Sequence, residues 1–419
     1  MKILWFTNTP CGAAEKLQPN NMFGGGWLVS LEKELVKEKS IELHVAFYWN
    51  ENLQPFELKG VHYHPVYRDN GSKIQRLFDR CFRRIPNDEK ELSKLLRIVN
   101  EIKPSLIHIH GTEDNFGLIN SKIEIPILLS IQGLLLPYYQ MLFVGIPENT
   151  ISKQESLNQK LFLNTIKNHH FYFNQRALRE KKILLNSLNV MGRTTWDKSI
   201  TQLLAPKSNY YIGNEILRDS FYQKNWEKKS FEKCIQLITI TSDSFYKGFE
   251  TIVDTALLLN EYNLQFHWKV IGLTENSECV KIVKNWKKFE YKEIHIELLG
   301  KKNENEISDL LLKSDIYIQT SHIENSPNSL CEAMMIGIPI IASNVGGTSS
   351  LLINEKDGQQ FQNSDFYSLA GLIKSTLFEF EKASVYAKNA REKAKNRHNK
   401  EKIVAEIIEI YKRILNNEK

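Results

Sequence analysis

Residues 322–343 read HIENSPNSLCEAMMIGIPIIAS and pass from a polar loop through a helix into an apolar strand. Ser326 is a typical helix-capping residue, Pro327 suits the first helical position, and Gly337 with Pro339 ends the helix. The final run, IPIIAS, is short and rich in isoleucine, as buried strands are. A helix that leads directly into a buried strand is typical of α/β folds.

The same alternation of strands and helices continues over most of the chain. The sequence predicts strands at KILWFTN (2–8), HVAFYW (44–49), LIHIHG (106–111), ILLSIQG (127–133), VMGRT (190–194), IQLITITS (235–242), FHWKVIG (266–272), IHIELLG (294–300), DIYIQTS (315–321) and IPIIAS (338–343). Repeated β-helix-β units form parallel sheets that are covered by helices on both faces. Two such series, separated by the polar stretch 205–233, predict two doubly wound, Rossmann-like α/β domains.

We place the domain boundary near Gly213, so that residues 1–212 form the first domain and residues 213–398 the second. The last segment, residues 399–415, has apolar residues at helical spacing and is expected to cross back onto the first domain. Ligands of open parallel sheets bind at the carboxyl ends of the strands. We therefore expect the functional site in the cleft between the domains, among residues that directly follow strands.

Composition excludes several classes of protein. The chain has 419 residues, of which 42% are hydrophobic and 25% charged, so it is neither fibrous nor disordered. Its five cysteines are scattered and form no C-x-x-C pair, which favours reduced thiols in a cytosol over disulfides or a zinc knuckle.

The net charge of +6 is concentrated in the first half of the chain. Residues 1–210 hold 27 Lys and Arg against 20 Asp and Glu, a net charge of +7, whereas the remainder carries −1. A basic first half favours an anionic partner. Zinc-finger spacing and RNP-like aromatic sequences are absent, so we predict a membrane surface or a phosphorylated substrate and no nucleic acid.

Two apolar segments could be mistaken for targeting or membrane sequences. MKILWFTNTP reads as a first strand and not as an export signal. Residues 125–147 carry no charge, but three prolines and glycines at 133 and 145 interrupt them. This segment predicts a buried strand followed by an apolar loop, and we expect a cytoplasmic protein that attaches peripherally to the inner face of the cell membrane.

The start of the helix near residue 327 is a candidate anion site. The first N–H groups of a helix lack intrahelical partners and attract phosphate. Glu324 precedes this helix and Glu332 lies in its second turn, and carboxylates are good acceptors for sugar hydroxyls. Phosphate on the amides and hydroxyls on the carboxylates would bind a nucleotide sugar, although an ordinary capped helix with a surface glutamate has the same sequence.

Three further features follow predicted strands or open helices. Lys247 comes just after strand 235–242 and can pair with a diphosphate, unless it is a surface lysine. The triple glycine 24–26 precedes a helix and lets amides approach a phosphate closely, unless it is a flexible loop. His108 and His110 point to the same side of one strand, and His110 stands at its end, where a structural histidine remains the alternative.

These elements together resemble the retaining glycosyltransferases of the GT-B fold, in the large family four (glycosyl transferases group 1). The E-x7-E pattern from Glu324 to Glu332, followed by GIPIIASNVGG, resembles the family's signature. SLIHIHGTED (105–114) is similar to the strand with the active-site histidine, and SDSFYKGFETIVDTALLL (242–259) to the lysine-glycine motif. GGGW (24–27) is similar to the glycine loop, and the stretch from 295 to 321 to the base-binding strand and the segment after it.

The resemblance implies a role for each motif. The predicted catalytic residues are His110, Glu324 and Lys247. The predicted donor-binding residues are Gly25, Gly26, Ser242, Lys247, Gly300, Asn328, Ser329, Leu330 and Glu332. Glu324 would hold the hydroxyls of the donor sugar, Glu332 the ribose, and the amides of Asn328 to Leu330 the phosphates. The family needs no metal and no cofactor, which agrees with the absence of a D-x-D motif.

This sequence departs from the family pattern at two places. The family usually carries an arginine five or six residues before the lysine, where Thr241 and Ser242 stand here. Arg193, Arg218 or Ser242 could replace that contact with the leaving phosphate. A glutamate that often follows the second glycine pair is Ser350 here.

The segment SKIQRLFDRCFRR (72–84) is predicted to form a basic amphipathic helix. Its apolar residues lie on one face, and Arg76, Arg80, Arg83 and Arg84 lie largely elsewhere. Such a helix suits an anionic bilayer surface. The alternative is a helix whose apolar face is directed to the core and whose basic face is solvated.

We therefore predict a retaining, metal-independent glycosyltransferase with two Rossmann-like domains. Its partners would be a nucleoside diphosphate sugar, a glycan or lipid-linked acceptor in bacterial surface polysaccharide or glycolipid synthesis, and an anionic membrane surface. Two alternatives remain. A sugar-nucleotide epimerase or phosphorylase of the same architecture would use similar phosphate contacts, and a two-lobed sugar-binding protein without catalysis would be expected to carry an export signal.

Overall fold

A computed structural model describes residues 1–18, 26–69, 71–82, 85 and 88–417 of the chain. The chain folds into two compact units. The first contains Met1–Tyr139, Glu155–Ile216 and Asn399–Lys419, and the second contains Gln140–Gln154 and Leu217–His398. The boundary thus follows Ile216 and not residue 212, and the segment Gln140–Gln154, which we had placed in the first domain, is part of the second unit.

The first unit is built on an eight-stranded sheet. Its strands are β1 (Lys2–Thr7), β2 (Glu42–Trp49), β3 (Phe56–Leu58), β4 (Val61–Tyr67), β5 (Leu106–His110), β6 (Ile127–Ser130), β7 (Asn189–Gly192) and β8 (Asn209–Ile212). Their order is β3-β4-β2-β1-β5-β6-β7-β8, and all neighbours are parallel except β3 and β4. Central strands such as β1 are apolar and buried along nearly their whole length, as parallel strands covered on both faces must be.

Nine helices belong to the described part of this unit. They are α1 (Ala14–Leu17), α2 (Gly26–Leu35), α3 (Lys73–Cys81), α4 (Asp88–Ile102), α5 (Leu135–Met141, whose last two residues lie in the second unit), α7 (Leu157–Leu161), α8 (Ile166–Leu185), α9 (Thr195–Leu204) and α18 (Lys400–Leu415). The C-terminal helix α18 shares a buried cluster with α2 and with Trp5 of β1. Its apolar face therefore forms part of the core of the first unit.

The second unit is built on a six-stranded parallel sheet. Its strands are β9 (Ile235–Ile240), β10 (Phe266–Ile271), β11 (Ile296–Gly300), β12 (Ile316–Gln319), β13 (Ile340–Ser343) and β14 (Gln359–Phe361), in the order β11-β10-β9-β12-β13-β14. Its helices are α6 (Glu148–Gln154), α10 (Asp219–Gln223), α11 (Phe249–Glu261), α12 (Glu278–Lys287), α13 (Glu304–Lys313), α14 (Asn328–Ile336), α15 (Thr348–Leu351), α16 (Phe366–Phe378) and α17 (Phe380–Arg397).

The helix α14, within residues 322–343, begins one residue later than expected. Pro327 occupies the N-cap position of α14, and no side chain caps the helix, so the prediction that Ser326 caps it is wrong. Gly337 ends the helix in the left-handed conformation, with φ +79°, as predicted.

The uncharged segment 125–147 does not form one continuous helix. It contains the buried strand β6, the short helix α5, and residues that pass into the second unit. Within the described residues, every helix is too short or too polar to cross a bilayer.

Candidate functional site

In the second unit, Lys247 and Glu324 form an ion pair beside the start of α14. Lys247 ends a 3-10 turn after β9, and Glu324 lies in the loop between β12 and α14. The Nζ of Lys247 lies 2.5 Å from Oε1 of Glu324, and both side chains are largely buried. Burial lowers the pKa of Lys247, but the adjacent carboxylate outweighs it and raises the pKa above its usual value. The lysine is therefore a fixed cation at neutral pH.

Two glycines allow the loops around this pair to pack closely. Gly248 has φ +72°, and a Cβ atom added there would lie 2.0 Å from the backbone oxygen of Thr320. Gly346 has φ +49°, and its added Cβ would lie 2.0 Å from the backbone oxygen of Glu324. That oxygen also accepts a hydrogen bond from the N–H of Gly347 at 2.9 Å. The backbones that carry Lys247 and Glu324 are thus held by contacts that leave no space for a side chain.

The second carboxylate, Glu332, is paired with Arg218. The Arg218 guanidinium donates two hydrogen bonds of 2.8 Å to the two carboxylate oxygens of Glu332. Burial raises the pKa of Glu332 above its usual value, and the charge of Arg218 partly opposes this. The fork-shaped contact fixes the orientation of the carboxylate, as bidentate arginine pairs do.

Tyr317 on β12 lies near both carboxylates. Burial raises the pKa of its phenol, and the charges of Glu324 and Glu332 raise it further. Since both glutamates act on the same hydroxyl, the structure brings the two predicted carboxylates to one region around the start of α14.

The backbone at this helix start only partly matches the prediction. Asn328 and Ser329 are the first two helical residues, whose N–H groups have no partner within a helix. The N–H of Leu330 instead donates to the oxygen of Pro327 at 3.0 Å, so the prediction of a free Leu330 amide is wrong. Among the described residues, the buried Oδ1 of Asn328 has no hydrogen-bond partner. The polar groups open to a ligand here belong to Asn328 and Ser329.

Ser242 and Gly300 lie at strand ends of the same unit. Ser242 is exposed just beyond β9, and Gly300 closes β11 with φ +64°. Gly272, at the end of β10, contacts the ends of both neighbouring strands. Its N–H donates to the backbone oxygen of Gly300, and a Cβ atom added to it would meet the backbone oxygen of Thr241. The ends of β9, β10 and β11 are therefore closely spaced.

In the first unit, His110 is fully buried among aromatic rings. Its ring centroid lies 4.4 Å from that of Trp5 and 5.8 Å from that of Trp27. Neither ring nitrogen has a hydrogen-bond partner among the described residues. Burial first, and then the nearby His108 and Arg193, lower the pKa of His110 well below its usual value. The imidazole is therefore neutral, and the described part of the chain leaves both of its nitrogens without a hydrogen bond.

Both ring nitrogens of His108, in contrast, have hydrogen-bond partners. Its ring nitrogens lie 2.7 Å from the hydroxyl of Tyr411 and 2.6 Å from that of Ser130. Burial lowers its pKa to about 3. His108 is thus a structural residue that connects the sheet to α18, and its ring lies 3.8 Å from that of His110, as the shared strand face predicts.

The predicted glycine loop is described in part. Gly25 lies outside the described residues. Gly26 opens α2 with φ +39°, and a Cβ atom added there would meet open space. Arg193 stacks over Trp27 at 4.1 Å and lies 3.8 Å from Glu215, all within the first unit. This arginine therefore lies near His110.

The sequence did not reveal a buried pair next to the lysine-glycine motif. Nε2 of His322 lies 2.6 Å from Oε1 of Glu250, and Nδ1 lies 2.6 Å from Oδ1 of Asn363. Gly145 passes so close that an added Cβ would meet Glu250 and His322 at 2.1 and 2.3 Å. The segment 140–154 is held here by a contact that only a glycine can make.

The site of the second unit can bind an anion and neighbouring hydroxyls. It combines a fixed lysine, two carboxylates, two helix-start amides and an unpartnered amide oxygen. It lacks a nucleophile with an adjacent base among these described residues. The chemistry that fits is binding and polarisation of a phosphorylated group.

The comparisons with known proteins agree with this chemistry. Residues 222–393, which lie within the second unit, match the family model "Glycosyl transferases group 1". An Escherichia coli UDP-Gal:alpha-D-GlcNAc-diphosphoundecaprenol alpha-1,3-galactosyltransferase is 32% identical over 108 residues, which cover 26% of this chain and 27% of that protein. The match thus spans about a quarter of the curated relative's length.

Solved structures show the fold. Sucrose-phosphate synthase from Thermosynechococcus elongatus is similar with a TM-score of 0.71 at 15% identity, and the match covers 100% of both chains. Anabaena Alr3699/HepE, solved with UDP and glucose, has a TM-score of 0.59 at 14% identity, with 98% of this chain and 99% of that chain covered. The predicted GT-B fold, with two parallel-sheet α/β domains, is confirmed.

Proposed function

We propose that the chain is a glycosyltransferase of family four that transfers a sugar from a UDP-sugar to a hydroxyl of a lipid-linked glycan acceptor, with retention of anomeric configuration. The observation that carries the proposal is the pair of buried carboxylate–cation contacts, Lys247–Glu324 and Arg218–Glu332, at the start of α14. They lie in or directly beside the residues that match the glycosyltransferase family model. The donor nucleotide and the lipid-linked acceptor are proposed from the name of the galactosyltransferase relative.

Different residues of the second unit bind different parts of the donor. Lys247 binds the diphosphate, and the amides of Asn328 and Ser329 bind its oxygens at the helix start. Glu332, which is oriented by Arg218, accepts hydrogen bonds from the ribose hydroxyls. Glu324 accepts hydrogen bonds from hydroxyls of the donor sugar. Ser242 and Gly300 complete the donor pocket.

The reaction requires no protein nucleophile. The bond between the anomeric carbon and the diphosphate oxygen breaks, and the acceptor oxygen bonds to the same face of that carbon. The proton of the acceptor hydroxyl passes to the leaving phosphate. The protein contributes orientation and a cation, Lys247, where negative charge develops.

His110 of the first unit is proposed to contact the donor sugar or to position the acceptor. Its support is the buried, neutral imidazole whose nitrogens form no hydrogen bond among the described residues. A polar group that is buried without a partner is costly, which favours a ligand as its missing partner.

Donor binding is tested by thermal shift with a panel of UDP, ADP and GDP and their sugars. We expect UDP compounds to raise the melting temperature of the wild type most, because a ligand that binds the folded state stabilises it by mass action. Glu332→Gln should weaken UDP binding by about tenfold or more, since one charge-assisted hydrogen bond contributes about 1.5–3 kcal/mol.

Asp315→Asn is the matched control for this test. Asp315 is a buried carboxylate paired with Lys228 at 2.8 Å, but it precedes β12 and so lies at the amino end of the sheet. Both variants lose one buried ion pair, and only Glu332→Gln should change UDP affinity. Equal UDP affinity in the two variants would show that Glu332 does not contribute to UDP binding.

Metal independence is a second expected result. Transfer activity should be unchanged after dialysis against EDTA and should gain nothing from added Mg²⁺ or Mn²⁺, because Lys247 and the helix start supply the positive charge at the diphosphate. Initial rates with a UDP-sugar in EDTA, Mg²⁺ and Mn²⁺ measure this. Activity that disappears in EDTA and returns with Mn²⁺ would contradict the proposed mechanism.

An anionic membrane surface is proposed as a further partner of the first unit. Helices α3 and α7 contain no buried residue. The following large apolar side chains at these helices are exposed: Ile74, Phe78, Phe82, Leu157, Leu161 and Phe162. The guanidinium of Arg80 donates to the backbone oxygen of Phe162 at 3.1 Å, which joins the two helices into one surface, here called the α3–α7 surface.

The exposure of α3 supports the membrane proposal. No residue of the described helix α3 is buried, which favours the membrane-facing reading over the core-facing alternative. Lys73, Arg76 and Lys160 are exposed on the same two helices, whereas Arg83 and Arg84 lie outside the described residues. Apolar side chains mixed with basic ones are typical of segments that lie in the interface of an anionic bilayer.

Membrane binding is tested by co-sedimentation with vesicles that contain an anionic phospholipid. The wild type should sediment at low salt and less at high salt, because surface attraction decays over a Debye length of about 8 Å at physiological ionic strength. The variant Phe78→Gln/Leu161→Gln, and separately Arg76→Gln/Arg80→Gln, should remain in the supernatant. Phe378→Gln is the control, since Phe378 is an equally large exposed side chain in the second unit. Wild-type protein that stays in the supernatant at low salt would refute the attachment.

A further inference from the structure

Three histidines and a glutamate form a compact cluster in the first unit, separate from His110. Glu42 and His44 lie on β2, and His62 and His64 lie on β4. His44 pairs directly with His62 in the parallel register, and residues two apart on a strand share a face. The backbone therefore directs all four side chains to the same side of the sheet.

The side chains in this cluster are already in contact. Nε2 of His44 lies 2.9 Å from Oε1 of Glu42, and Nδ1 of His44 lies 3.0 Å from Nε2 of His64. The rings of His44 and His62 stack with centroids 4.7 Å apart. One ligand atom from each of Glu42, His44 and His62 falls within 4.8 Å of the other two.

We propose that Glu42, His44 and His62 bind one Zn²⁺ ion, with His64 as a positioning residue. Zinc–ligand bonds of about 2.0–2.2 Å in a tetrahedral site place ligand atoms about 3.3–3.5 Å apart. The ligand atoms here lie within 4.8 Å of one another, so their separations need to change by at most about 1.5 Å. Glu42 and His62 are partly exposed and have the freedom to do so. His44 would ligate through Nε2, and its Nδ1–H would donate to His64, the outer contact that metal-binding histidines usually make.

The ligand chemistry selects the ion. Two imidazoles and one carboxylate suit Zn²⁺ and other late first-row metals, whereas Mg²⁺ and Ca²⁺ prefer sites made entirely of oxygen atoms. A fourth position remains for water. Lys2, whose Nζ lies 3.4 Å from Oε1 of Glu42, has a partly exposed side chain that would turn away when the ion binds.

The position of the cluster separates it from the proposed reaction. Glu42 and His44 begin β2, and His62 begins β4, so the cluster lies toward the amino ends of these strands. His110, in contrast, ends β5. Zinc here would tie β2 to β4 and stabilise the first unit, and its removal would leave metal-independent transfer intact.

The test is a zinc titration of the full chain after EDTA treatment. Cys81 and Cys234 are exposed thiols that could bind zinc themselves, so the titration uses the Cys81→Ser/Cys234→Ser background. We expect one equivalent of Zn²⁺ to bind in competition with a chromophoric chelator and to raise the melting temperature, while Mg²⁺ does neither. Co²⁺ should give the visible absorption of a tetrahedral site.

The matched variants are His62→Ala and His267→Ala. Both histidines lie on strands and pair with a neighbouring glutamate, Glu57 for His62 and Glu297 for His267, and their side chains are 39% and 36% exposed. Among the described residues, however, no second imidazole stacks on His267, whereas the ring of His62 stacks on that of His44. His62→Ala, and independently Glu42→Gln, should weaken zinc binding by about tenfold or more, and His267→Ala should not change it. Zinc affinity that is the same in all three variants, or a wild type that binds no stoichiometric zinc, would overturn the proposal.

Discussion

Glu324→Gln should lower the turnover of sugar transfer by about 10²–10³-fold while the fold remains intact. The carboxylate of Glu324 has two tasks in the proposed mechanism, since it accepts hydroxyls of the donor sugar and holds the Nζ of Lys247 at 2.5 Å. Glutamine keeps the size of the side chain but removes the charge that fixes the lysine. The leaving diphosphate would then meet a cation in the wrong position.

The measurement is kcat and KM with a UDP-sugar, together with UDP affinity by thermal shift. We expect kcat to fall far more than UDP affinity, because Glu324 contacts the sugar and not the nucleotide. Asp315→Asn again serves as the control for the loss of a buried ion pair. A Glu324→Gln enzyme with the kcat of the wild type would show that this residue has no part in the reaction.

The central part of the fold follows directly from the sequence. All ten predicted strands occur, because each centres on a run of apolar residues within a parallel sheet, and such runs are conspicuous between polar helices. The glycine that ends α14 was predicted because few other residues adopt the left-handed conformation easily.

The parts that were missed lack these signals. The strand β4 contains His62, His64 and Pro65, so its sequence is neither apolar nor strictly alternating. In the sheet it lies next to the short edge strand β3. The edge strands β8 and β14 are four and three residues long. The segment Gln140–Gln154 belongs to the second unit through contacts distant in sequence, such as Gln154 with the backbone oxygen of Ile282. No local pattern encodes such contacts.

For the site, the sequence indicated the ligand-facing groups but not their partners. The positions of Glu324, Glu332 and Lys247 follow from strand ends and one helix start. The pairing of Arg218 with Glu332 joins residues 114 positions apart and could not be read from spacing. Of the three groups considered as a replacement for the family's arginine, Arg218 is the one that the structure places beside a predicted donor-binding carboxylate.

Gly248→Ala should destabilise the protein by about 2–4 kcal/mol and abolish most nucleotide binding. The methyl group would lie 2.0 Å from the backbone oxygen of Thr320, and the residue would have to keep φ +72°. Backbone atoms cannot rotate away as a flexible side chain can. The loop that carries Lys247 would therefore separate from the loop that leads to Glu324, which breaks the ion pair as well as the packing.

Gly371→Ala provides a control of opposite sign for the same chemical change. Gly371 lies inside α16, and a Cβ atom added there has no neighbour within 4 Å. Alanine is the better helix former by about 0.8–1 kcal/mol, so this variant should melt slightly above the wild type. Thermal unfolding of both variants, with and without UDP, measures the two effects. If Gly248→Ala melts with the wild type and keeps its response to UDP, the close contact with Thr320 is not what positions Lys247. If it melts early but the remaining folded protein binds UDP normally, the contact stabilises the fold without shaping the site.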